Sequence, residues 1–127
     1  MRCFIIGFTG FFVAAIATAV AFAAYGDYSA RASLGETISG VIPLRTMIAE
    51  DLLSTADGSV SEAVWAQAMS ESSNMGVSYL KVSPDGTIAF RSAKHGQIII
   101  YEPDTSTNGI EWRCIGAPAK DVPPDCR

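Results

Sequence analysis

A chain of 127 residues with a formal net charge of −4 leaves room for one small domain beside any long apolar segment. Its acidic balance excludes the global basic field that nucleic-acid binders carry, and points to solubility or protein contacts. No Gly-rich phosphate loop, nucleophile elbow or metalloprotease motif occurs, and the single histidine, His95, has no cysteine or carboxylate at metal-ligand spacing. The sequence therefore reads as non-enzymatic, with no cofactor and no metal.

Cys3 to Tyr25 contains no charged residue and is dominated by Ala, Ile, Val and Phe. At ~1.5 Å per residue, a helix of that length reaches ~34 Å, enough for the ~30 Å hydrocarbon core of a bilayer. Three readings compete: a membrane anchor, a cleaved secretory signal, and a buried core helix. The anchor is favoured, because the run outlasts the usual apolar region of a signal peptide and continues into helix-compatible sequence. Arg2 inside and Asp27 outside suit an exported C-terminal portion. From Tyr25 to Leu53 apolar residues keep helical spacing, at Leu34, Ile38, Val41, Ile42, Leu44, Met47, Ile48 and Leu52. The expectation is one helix over 1–53 with the anchor at about 3–25. Pro43 predicts a bend, and Gly26, Gly35 and Gly40 add soft points. Two helices joined near Gly40 to Pro43 are the alternative.

Residues 54–76 turn small and polar, a connecting loop in which Ser59-Val-Ser-Glu62 reads as a capping box for a short helix. Trp65 is expected to pack that helix onto the domain, with ligand stacking as the alternative. After Gly76 the period changes to two. Val77 to Val82, Thr87 to Arg91, Gln97 to Tyr101 and Ile110 to Ile115 read as four strands. Ser83-Pro84-Asp85-Gly86 and Lys94-His95-Gly96 turn the chain between them, and Pro103 to Gly109 is read as a polar loop. Consecutive short strands make an antiparallel meander over 77–127, which must bury one face against the long helix.

Cys114 and Cys126 bound a short Pro-rich C-terminal loop, which as a disulfide implies an oxidising compartment; two free thiols in a tail are the alternative. Arg91, Lys94 and His95 cluster about one hairpin, and Lys120 lies near the cysteine-bounded loop. These four form a candidate contact for DNA phosphates or an anionic surface, with scattered solvated charge as the plain alternative.

Several segments, taken in order, resemble the type IVa pilins. Ala24-Tyr-Gly-Asp-Tyr-Ser-Ala-Arg31 is similar to the family's stretch at the outer end of the membrane segment, and Leu44-Arg-Thr-Met-Ile-Ala-Glu50 to the helical block that follows. Ser83-Pro-Asp-Gly-Thr-Ile88, Ile110-Glu-Trp-Arg-Cys114 and Pro123-Pro-Asp-Cys126-Arg127 resemble its sheet and disulfide-bounded loop. Gly7-Phe8-Thr9 resembles the leader cleavage junction, which makes Gly7 and Phe8 candidate processing residues. Aligned at that junction, Phe12 stands where the family has glutamate, and aligned from Tyr25, Ile6 does; either departure bears on processing, N-methylation and assembly.

The resemblance implies an α+β fold: a long N-terminal helix on a four-stranded antiparallel sheet with a C-terminal disulfide loop. It implies a structural subunit of a type IV pilus or pilin-like filament, self-assembling with the help of inner-membrane machinery and serving adhesion, twitching motility or DNA uptake. The chain would sit singly across the bacterial inner membrane, in contact with lipid, and then in the cell-surface pilus or fimbrium. A membrane-anchored exported binding module that forms no filament is the alternative.

Overall fold

The computed structural model describes residues 2–106 and 109–127, with side chains from Gly10 onward. Helix α1 spans Arg2–Ser54, 53 residues in one run. At ~1.5 Å rise per residue it is ~80 Å long. It continues through Pro43 as one helix rather than two. Pro43 lies on the exposed side, where water can serve the carbonyl that the missing N–H leaves unpaired.

A short helix α2, Glu62–Glu71, and a 3₁₀ turn at Ser72–Asn74 lead into strands β1 Val77–Val82, β2 Ile88–Ser92, β3 Ile98–Asp104 and β4 Glu111–Ala117. The strands form one antiparallel sheet in the order β1-β2-β3-β4, the meander expected from four strands joined by tight loops. Registers run Leu80↔Phe90, Phe90↔Ile99 and Ile99↔Gly116, so the period-two residues of neighbouring strands fall on common faces. A shift between Val77 and Tyr79 disturbs the start of β1.

The core lies between the C-terminal half of α1 and the sheet. Leu34, Val41, Leu44, Ile48 and Leu52 recur at helical spacing and meet Val82, Ile88, Phe90, Ile99 and Tyr101. Ala68 of α2, Met75, and Val122 and Cys126 of the C-terminal loop close its ends. Ile42, expected on the apolar stripe, is 49% exposed, because it lies one residue past the buried Val41 and faces away from the sheet.

Three local expectations are corrected. The capping box does not form: Ser61 is the N-cap of α2 without a side-chain cap bond, and its N–H and Oγ–H donate to the Asp51 carboxylate of α1 at 2.6 and 3.1 Å. Ser59 instead donates to the Asp57 carboxylate. Trp65 is 47% exposed, and Ala68 takes the buried position on α2 with Val64 and Met69 packed against the core beside it. Finally, β3 runs on through Pro103 to Asp104, pairing Pro103 with Trp112 and Asp104 with Glu111. The polar loop begins two residues later than the sequence indicated. Pro103 is tolerated because β3 has already passed its last partner on β2, Ile88 opposite Tyr101.

Candidate assembly surface

The N-terminal half of α1 stands clear of the domain from Gly10 to Gly26, and its residues are exposed as far as Tyr28. Phe11 is 71% exposed, Phe22 77% and Tyr25 71%, and Phe12, Val13, Ile16 and Val20 are exposed with them. A soluble monomer rarely leaves so large an apolar surface in water, so a lipid phase or other protein copies must cover it. The helix is long and apolar enough to cross a membrane from Gly10. Ala14, Ala15, Ala17, Ala19 and Ala21 leave shallow surface between the large side chains and permit close helix approach. Thr18, the polar residue among them, returns its hydroxyl to the Ala14 and Ala15 carbonyls at 2.9 Å, so it presents no unsatisfied donor.

Where the apolar half ends, the domain grips the helix. The Lys120 ammonium stands 3.2 Å from the Asp27 carboxylate, and Arg31 Nε–H donates to the Lys120 carbonyl at 3.0 Å. Gln97, fully buried, donates from Nε2 to the Ala30 carbonyl at 3.0 Å. Lys94 lies 3.3 Å from Glu36. These contacts tie the β2–β3 turn and the C-terminal loop to the same stretch of α1. Exposed pairs of this kind contribute little each, about 0–1 kcal/mol, and they set register more than stability. The loop itself is closed by a Cys114–Cys126 disulfide with Cα atoms 4.5 Å apart, and Cys126 is buried against the core.

Further up, Arg45 of α1 lies over two rings of the β3–β4 hairpin, with its guanidinium carbon 4.4 Å from the centre of the Tyr101 ring and 5.3 Å from that of Trp112. Burial raises the Tyr101 phenol above its usual 10.0, with the Arg45 charge opposing. Nothing local marks Arg45 beyond its helical block. Its signal lies in two aromatic residues on β3 and β4 that only the strand pairing brings under the helix.

The candidate residues are distributed as follows. Gly7 and Phe8 fall within α1, and their side chains lie outside the described residues. Arg91, Lys94 and His95 are all exposed about the β2–β3 turn. Lys120 belongs to the loop that leaves β4 at the same end of the sheet, since Ile98 pairs with Ala117. Lys94 and Lys120 carry carboxylate partners from α1, which offsets two of the patch's three formal positive charges. Arg91 turns its guanidinium back over Gly96, so that a Cβ there would meet its Nη2 at 3.1 Å. Among the described residues no group of His, Cys, Asp and Glu is placed to hold a metal ion.

A long helix with a bare apolar half, a four-stranded sheet gripping the other half and a disulfide-closed C-terminal loop describe a protein built to be held by lipid or by its own copies. The family model for pilins, the proteins of bacterial filaments, matches residues 30–127, and the chain belongs to the pilin family. No curated protein and no solved structure matches it. As a pilin it is a structural pilus subunit from a family that is not enzymatic, and the apolar helix accords with a membrane-anchored chain that reaches the pilus surface. The matched residues begin at Ala30, the first buried residue of α1 among those described.

Proposed function

We propose that this chain is held by the apolar half of α1 in the bacterial inner membrane, and that inner-membrane assembly machinery transfers it into a helical filament whose core is that same surface. The observation that carries the reading is the exposure of every residue of α1 from Gly10 to Tyr28 beside a domain with its own buried core. Lipid and packed neighbouring helices are both apolar, so transfer between them costs little and small-residue packing supplies the specificity. Cleavage between Gly7 and Phe8 would precede assembly. Of adhesion, motility and DNA uptake, the first two fit the outer surface better. The net charge is −4, and Lys94 and Lys120 are already paired.

The anchored binding module remains a second reading, favoured by Phe12 standing where a glutamate is expected. Intact mass and N-terminal sequencing of chains from sheared filaments and from the inner membrane separate the two. A form beginning at Phe8 in the sheared fraction supports assembly. A chain beginning at Met1 and confined to the membrane sinks it.

A further inference from the structure

We propose that the outer face of the sheet is a self-association surface joining two copies of this chain face to face. Alternation along the strands sends one set of residues to the core and the other outward, and here much of the outward set is apolar. Tyr79 is 55% exposed, Ile98 46% and Ile115 47%, with Ile100 and Ala89 half-buried between them. The registers Tyr79↔Arg91↔Ile98↔Ala117 and Lys81↔Ala89↔Ile100↔Ile115 make these residues contiguous across all four strands. The small Ala89 leaves a hollow of about 320 Å³ among Tyr79, Arg91, Ile98 and Ile100. One exposed isoleucine on a strand reflects β-propensity; a contiguous patch rimmed by charge marks a contact surface.

The rim identifies the occupant. At the β1–β2 corner stand two exposed cations, Lys81 and Arg91, and neither forms an ion pair among the described residues. At the opposite corner, where β3 ends and β4 begins, Glu102, Asp104 and Glu111 gather around one cation, Arg113, which lies 3.7 Å from Glu102. A uniformly acidic or uniformly basic partner would meet like charge at one corner. A second copy does not: a two-fold axis in the plane of the face, near Ile100 and Ile115, lays each basic corner over the partner's acidic corner and seals the isoleucines between them. The face lies on the far side of the sheet from α1, so this contact does not compete with helix packing. On the filament reading proposed above, it joins subunits of different filaments, and a weak contact repeated along two filaments accumulates through multivalency.

The test uses the full chain in its native cells, with Ile100→Cys and a short bis-maleimide, read as dimer on a denaturing gel against the unsubstituted chain, which controls for Cys3. We expect dimer well above that control. Arg91→Glu and Glu111→Lys, each added alone, should lower its yield about tenfold, because the two-fold axis makes each reversal turn two attractive pairs into repulsive ones, and the two together should restore it. Since Arg91 also packs on Gly96, Lys81→Glu gives the same reading without touching that turn. No dimer above the control, or yields indifferent to the single reversals, overturns the proposal. Filaments without dimer sink this contact alone; dimer in the membrane without filaments sinks the subunit reading alone.

Discussion

Replacing Gly86 by alanine tests the packing of α1 on the sheet more sharply than any core truncation. Gly86 is buried in the β1–β2 turn with φ +89°, and a Cβ there would stand 2.5 Å from Leu52 Cδ1, 3.2 Å from Pro103 Cγ and 3.3 Å from Ile48 Cγ2. Leu52 and Ile48 are themselves buried, so the methyl group has no open space into which to displace them. Gly58 provides the control, with φ +65° and open space within 4 Å of the place a methyl group would take. The left-handed backbone alone costs roughly 1–2 kcal/mol for a residue with a Cβ. Overpacking adds about 1–3 kcal/mol at Gly86 only. For a domain of this size each kcal/mol is worth ~4–8 °C. Gly58→Ala is therefore expected to lower the midpoint by about 4–16 °C, and Gly86→Ala by roughly twice that. The assay is thermal unfolding of the full chain in mild detergent, followed by near-ultraviolet circular dichroism. Midpoints for the two variants within about 2 °C of one another, well under one kcal/mol, would refute the close packing of α1 over the β1–β2 turn.

Replacing Cys114 and Cys126 together by serine opens a ring with a sequence separation of 12 and should cost about 3 kcal/mol, read as a lower midpoint of thermal unfolding. Phe90 is fully buried, and Phe90→Ala should cost about 3–5 kcal/mol in the same assay. Tyr101 has a folded pKa above its unfolded value of 10.0, chiefly through burial, so its contribution is fully present below pH 10 and is lost as pH rises through the folded pKa. Midpoints measured from about pH 8 to 11 should fall more steeply for the native chain than for Tyr101→Phe. Val20→Asp places a charge in the middle of the apolar half, at about 2.5–3.5 kcal/mol in a bilayer, and should deplete the chain from the membrane fraction and from sheared filaments alike.

The fold was largely legible because its signals are local and repeated. Period-two alternation after Gly76, the Ser83-Pro84-Asp85-Gly86 turn and the period of Leu34, Val41, Leu44 and Ile48 each report one element without reference to the others. Local signals mislead where a distant partner outweighs a local preference. Ser59 and Glu62 have capping-box spacing, but the Asp51 carboxylate from the end of α1 takes the N–H of Ser61 at 2.6 Å, and a charged acceptor held by the fold outweighs a neutral one nearby. Pro103 reads as a strand breaker, yet the staggered end of β2 leaves it beside the pairing that its ring would disrupt. Trp65 reads as an anchor, whereas the face that α2 turns to the core is carried by Ala68 with Val64 and Met69 beside it.

The candidate site divides in the same way. Composition alone determined that residues 3–25 must be covered by something apolar, because a run of that length without charge has no stable place in water. Cysteine placement indicated the closed C-terminal loop. What only the tertiary structure decided was which charges are free and which are committed. The Lys94–Glu36 and Lys120–Asp27 pairs, separated by 58 and 93 residues, join segments whose proximity no local pattern encodes. The same holds for Arg45 over Tyr101 and Trp112, and for the basic and acidic corners of the outer face. Periodicity fixes which face a residue takes within its own element, and only the packing of elements decides what that face meets.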